Sequence, residues 1–168
     1  MLHLIFRFFC AALLTVTAPA CLAQSLPATA GETLSGKHIV LADAVRGHTA
    51  ILIAGFSREG GAGTGDWVKA IHLDPAFANA TVYSVAMLAG APGFIRGMIR
   101  SGMKKGLSAV EQDRFVVLTD DEKLWRTYFD VTADNEPYVA LLDSEGKVLW
   151  RGHGSAANSE RQLRAAMR

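Results

Sequence analysis

Phe115-Val116-Val117-Leu118-Thr119-Asp120, followed by Pro137-Tyr138-Val139-Ala140-Leu141-Leu142-Asp143-Ser144-Glu145-Gly146-Lys147-Val148, is the part of the chain that decides its fold. Each apolar run is short, rich in β-branched or aromatic residues and bounded by turn formers, which predicts buried strands. Pro137 stands where a strand begins, a position that needs no ladder N–H. The turn Asp143-Ser144-Glu145-Gly146 separates a strand over residues 138–142 from another over 147–151.

Working outward, Thr119-Asp120-Asp121-Glu122 reads as a capping box, with the Thr119 hydroxyl serving free amides and Glu122 reaching back. The helix it opens places Leu124, Trp125, Tyr128 and Phe129 on one stripe. Residues 49–56 are almost wholly apolar, as a strand covered on both faces should be. A second long strand is expected over 82–88. Between them lie a glycine-rich loop, Gly60 to Gly65, and a helix capped by Asp66 with Trp67, Ala70 and Ile71 on one side. Strand, helix, strand in this order implies a right-handed crossover and parallel pairing. Asp74-Pro75 interrupts the helix or starts another turn.

Residues 93–105 follow Pro92. Phe94, Ile95, Met98, Ile99 and Met103 recur there at helical spacing, while Arg96, Arg100 and Lys104 fall four apart on another face. Nearer the start, Ser35-Gly36-Lys37 turns into a short strand over 39–41. Near the end, Ser159 and Gln162 form a second capping box for a helix carrying Leu163, Ala166 and Met167. No internal repeat or dividing linker is present.

The first residues have the three-part pattern of an export signal: one charge at Arg7, an apolar run over 8–16, and a small-residue exit. That run is too short to cross a bilayer, which takes roughly 20 residues. Cleavage after Ala23 fits the pattern. Lipidation at Cys21 is the alternative, although Ala18 stands where a larger aliphatic residue is expected. The expected organisation is a signal peptide over 1–23, a flexible leader over 24–34 and one domain over 35–168, exported to the periplasm or beyond.

The chain has 168 residues, 17 Lys and Arg against 16 Asp and Glu, and two cysteines. Cleavage removes Arg7, so the mature charges balance and leave no field to gather nucleic acid. It also removes Cys10 and Cys21. The mature residues then hold no thiolate nucleophile, no cysteine-ligated cofactor and no dithiol–disulfide couple.

The order of elements resembles the thioredoxin-like superfamily. Residues 115–120, Leu124, Phe129-Asp130-Val131, Pro137 and the segment 142–148 are similar to the peroxiredoxin and TlpA-type pattern. The resemblance spans roughly residues 35 to 168 and implies an α/β fold with a mixed central sheet flanked by helices on both faces. It implies a cis peptide at Pro137 beside an active-site loop, and redox cysteines just after Phe56. Here Ser57-Arg58-Glu59-Gly60-Gly61-Ala62-Gly63-Thr64-Gly65-Asp66-Trp67 stands in that place. Phe56-Ser57-Arg58, Trp67 and the ending through Trp150, His153 and Gly154 resemble the assembly-factor family for the membrane sector of mitochondrial ATP synthase. That family's members act as chaperones for a membrane subunit. The export signal prevents carrying over the client.

The glycine loop fails as a dinucleotide fingerprint, because Asp66 replaces the third glycine. It fails as a phosphate loop, because Asp66-Trp67 replaces Lys and Ser/Thr. Ser57, Arg58, Glu59, Gly60, Gly61, Gly63, Asp66 and Trp67 therefore form a degenerate active-site loop with no assigned catalytic residue. Glu136, Pro137 and Tyr138 are the candidate client-binding residues, offering backbone hydrogen bonds to an extended segment. Phe94, Arg96, Met98, Ile99, Arg100, Met103 and Lys104 form a candidate membrane or partner helix, against the alternative of a core-facing helix with a solvated basic face.

His48, His72 and His153 have no paired metal spacing, and neither metal nor cofactor is assigned. The expectation is a binding, chaperone or assembly module with a protein partner and no nucleic acid. Two alternatives are an enzyme or small-ligand binder using residues 57–66, and a copper carrier through His153 and methionines.

Overall fold

The computed structural model describes residues 26–167. The signal, Cys10, Cys21 and the start of the leader lie outside the described residues. Seven strands form one sheet in the order β2-β1-β5-β4-β3-β6-β7. They are β1 (Ala30–Thr33), β2 (His38–Val40), β3 (Ala50–Gly55), β4 (Thr81–Met87), β5 (Phe115–Leu118), β6 (Tyr138–Leu142) and β7 (Val148–His153). β3, β4 and β5 run parallel, β6 pairs antiparallel with β3, and β7 pairs antiparallel with β6, so the sheet is mixed.

Among the described residues six α-helices accompany it: α1 (Leu41–Ala44), α2 (Arg58–Leu73), α3 (Gly93–Lys104), α4 (Ala109–Arg114), α5 (Glu122–Phe129) and α6 (Ala156–Ala166). Asp74 caps a 3₁₀ turn over Pro75–Phe77 by accepting from the Ala76 amide. Alternation along β6 divides the core. Tyr138, Ala140 and Leu142 join Trp125, Tyr128 and Phe129 of α5, while Val139 and Leu141 join Trp67 and Ile71 of α2 and Leu163 of α6. Helices thus cover both faces. Every residue of β3 is buried, and each large side chain withdrawn from water contributes about 1.5–3 kcal/mol.

Several local expectations need correcting. The leader does not stay free to residue 34, because Ala30–Thr33 pairs with both β2 and β5 and Leu26 joins the core. Thr119 does not cap α5. Its hydroxyl donates to Asp120, Glu122 is drawn to Arg126 at 2.7 Å, and Asp121 occupies the cap with φ 56°. Leu124 is 53% exposed, outside the buried stripe of α5. Ser159 lies inside α6 and donates to the His153 carbonyl, so Ser155 precedes that helix instead. A complete capping box does form at Ser108 and Glu111, opening α4.

Candidate functional site at the start of the second helix

The residues read as a glycine loop are helical. Ser57 caps α2: its hydroxyl accepts from the Gly60 amide at 3.1 Å and donates to the Asp134 carbonyl at 2.7 Å. Such a cap is worth about 1 kcal/mol. Asp66 sits exposed in mid-helix and caps nothing. The glycines are there for close approach. A Cβ on Gly60 would lie 2.6 Å from Asp134 O and 2.7 Å from Glu136 O, and one on Gly63 would lie 3.0 Å from the Pro137 ring. The helix start is therefore pressed against the segment leading into β6. Arg58 and Glu59 point to solvent, while Trp67 is buried and donates through Nε1 to the Gly154 carbonyl at 2.7 Å.

Pro137 corrects the sequence expectation, since no cis peptide occurs among the described residues. The trans form is the ordinary ground state of a prolyl bond. Pro137 is buried and its carbonyl accepts from the Gly154 amide. Tyr138 is 1% exposed, and its hydroxyl is held by the Thr132 and Ala133 backbone. Of the three client-binding candidates, only the Glu136 side chain reaches the surface.

Two groupings were missed from sequence. Glu136 Oε2 lies 2.6 Å from His153 Nδ1, because the β6–β7 register sets Tyr138 opposite His153. Counting residues back from the turn at 143–146 would have missed this pair, because the β6–β7 register slips by one between Leu142 and Leu141. Arg126 bridges Glu122 and Asp134 and covers the Phe56 ring at 5.4 Å. The i,i+4 spacing of Glu122 and Arg126 was a readable signal; the third member, Asp134, had none. The Arg126 guanidinium holds the Asp134 carboxyl below its usual range, and both carboxylates raise the arginine.

His72 lies on α2, His153 on β7 and His48 in the connection between α1 and β3, and no group of three or more His, Cys, Asp or Glu gathers in a metal-holding arrangement among the described residues. None of the helices described is long and apolar enough to cross a membrane.

α3 forms over Gly93–Lys104, with its apolar and its basic residues each divided between exposed and half-buried positions. Arg96 reaches inward to the Ala89 and Ala91 carbonyls, and Arg100 binds Glu32 and the Thr33 carbonyl of β1. Phe94 and Met98 turn outward, 88% and 73% exposed, while Ile99 and Met103 are half-buried. Lys104 is exposed. Two of the three basic residues, Arg96 and Arg100, thus fasten the helix. An open cleft of about 920 Å³ lies between α3 and the start of α2, lined in part by Phe56, Ser57, Arg58, Met98 and Met103.

No family model matches the sequence, and no curated protein is similar to it in sequence. Its fold has many solved counterparts. A thioredoxin-family thiol:disulfide interchange protein from Chlorobium tepidum TLS is 18% identical, with a TM-score of 0.54 over 87% of this chain and 97% of that one. The lipoprotein thioredoxin Etrx1 from Streptococcus pneumoniae strain TIGR4, described as exposed, is 18% identical, with a TM-score of 0.54 over 82% and 97%. BsSco, of the Sco family of cytochrome c oxidase assembly proteins, is 15% identical, with a TM-score of 0.58 over 87% and 95%. The fold is thioredoxin-like.

Proposed function

We propose that the protein is a thioredoxin-like module of the cell envelope that binds a protein client or assembly partner without thiol chemistry. The observation that carries this reading is α3: two inward arginines hold a helix whose large apolar residues, Phe94 and Met98, face water. Leaving such side chains exposed gains nothing for folding, and exposed apolar surface of this kind suits a partner. Ser57 supports the same view, because its hydroxyl is engaged as donor and acceptor in capping and offers no free nucleophile. At the Pro137 segment the Glu136 side chain offers a client the most accessible contact. Envelope location rests on the export signal and on counterparts such as the exposed lipoprotein; an assembly role has a precedent of fold only in BsSco.

Lys104 and Lys105, exposed at the end of α3, would favour a partner lying at an anionic membrane surface. The test is site-specific photocrosslinking in the native envelope from position 101, exposed on α3 along the same face as Phe94 and Met98. One partner should be captured, and Phe94→Ser with Met98→Ser should abolish capture while leaving thermal unfolding unchanged. Equal capture by the double variant would remove α3 from the interface. Insulin reduction by the chain beginning at Gln24 should be absent, and measurable turnover would overturn the thiol-free reading.

A further inference from the structure

A second groove lies away from the α2 start, between α2 and α4, and encloses about 620 Å³. That volume falls in the roughly 300–1,000 Å³ range of small-molecule sites. Its sides are Val68 and Leu73 of α2 and Leu107 and Val110 beside α4, and its floor is Val82 of β4 with Phe115 at the head of β5. Leu73 and Val110 are 74% and 61% exposed, so the apolar walls are open to water.

The groove's polar groups are mostly engaged within the chain. Thr64 donates to the Gly61 carbonyl, Ser108 accepts from the Glu111 amide, and Glu111 accepts in turn from the Ser108 amide. β4 is paired on both sides, so no strand edge is open to an extended peptide. Ser84 adds one hydroxyl to the floor. An occupant must therefore need almost no hydrogen bonds along its length, which describes an alkyl chain and excludes a peptide backbone.

The rim has the opposite character. Lys69, His72 and Arg114 line the groove, are exposed, and form no ion pair among the described residues. Glu111 is the single carboxylate among the lining residues and is turned into its capping box. An apolar trough with a cationic rim complements a single-chain amphiphile with an anionic head.

We propose that the α2–α4 groove binds a free long-chain fatty acid, its alkyl chain along Val68, Val82, Leu107 and Phe115 and its carboxylate at Lys69 and Arg114. The inner end meets the cleft beneath α3 at Thr64, Leu107 and Phe115, residues common to both. A longer chain would there encounter Met98 and Met103, whose flexible thioethers adapt to varied shapes.

The test titrates the chain beginning at Gln24 with cis-parinaric acid and displaces it with palmitate. Saturable fluorescence that palmitate reverses is expected, with hexadecanol weaker by about tenfold for want of a charge, equivalent to roughly 1.4 kcal/mol. Gly65→Phe places a ring in the groove at a helix position where an added Cβ meets nothing within 4 Å. It should abolish binding while leaving circular dichroism and thermal unfolding intact. Lys69→Glu with Arg114→Glu should weaken palmitate about tenfold or more and leave hexadecanol nearly unchanged. Absence of saturable probe binding, equal affinity for palmitate and hexadecanol, or full binding by the folded Gly65→Phe variant each overturns the proposal. The hexadecanol comparison needs no variant, so it decides the matter even if a substitution prevents folding. Binding to phosphatidylglycerol vesicles that palmitate does not compete away would assign the basic rim to a membrane surface and also overturn it.

Discussion

Gly60 and Gly61 are neighbours in the first turn of α2 with opposite surroundings. A methyl on Gly60 would strike two backbone oxygens, whereas one on Gly61 meets nothing within 4 Å. Gly60→Ala should therefore destabilise by about 1–3 kcal/mol, as overpacking against rigid backbone does. Gly61→Ala should stabilise by up to about 1 kcal/mol by improving helix propensity. Urea unfolding of the two variants checks both signs. Equal effects would mean that the helix start does not press on the Asp134–Glu136 segment. Tyr128 gives a second residue-scale prediction. Burial pushes its hydroxyl from 10.0 up to about 12, against a smaller opposing effect of Arg151. The unfolded chain would ionise this group first, so its contribution is complete below pH 10 and is lost as pH rises towards 12. Tyr128→Phe should flatten that alkaline loss in urea midpoints measured across the window.

Among the elements, α3 depends on a few polar anchors, since none of its residues is fully buried. Arg100 makes a 2.7 Å ion pair with Glu32 and a 3.0 Å hydrogen bond to the Thr33 carbonyl. Arg100→Gln should cost about 1.5–3 kcal/mol, the range for hydrogen bonds to charged groups, and should speed amide exchange in α3 before the sheet. Uniform exchange throughout the molecule would show that α3 is held by other contacts. Arg96, Arg100 and Lys104 are equally spaced in sequence, yet two are anchors and one is solvated. Only a substitution at Lys104 would probe surface charge without loosening the helix. The central strands were legible because they are short apolar runs, with β3 and β6 buried throughout, whereas β1, lying in the leader, was not. The start of α2 was not, because glycine's low intrinsic propensity suggests a loop, while close packing against the Pro137 segment requires glycine inside a helix.

For the whole molecule, acid should be the more damaging extreme at ordinary temperature. The Ala76 amide and Arg164 lower Asp74, Ser108 lowers Glu111, Lys37 lowers Asp113, and Arg126 lowers Asp134. Each carboxylate contributes stability above its unfolded value, near pH 4, and loses it as pH falls through and below that point. Urea midpoints should drop steeply below about pH 4, and Asp134→Asn should make the drop shallower. Residues 26–167 contain no cysteine, so dithiothreitol should leave the thermal midpoint of the chain beginning at Gln24 unchanged. By itself the sequence determined the order of strands and helices, the parallel pairing of β3 with β4 and the lack of any cysteine after Cys21. Those follow from local apolar runs, turn residues and composition, which need no knowledge of neighbours. Only the tertiary structure decided that Ser57 caps a helix, that Glu136 meets His153, that Pro137 is buried, and that the arginines of α3 face inward. Each of those depends on which distant segment supplies the facing atom, and chain periodicity contains no term for that.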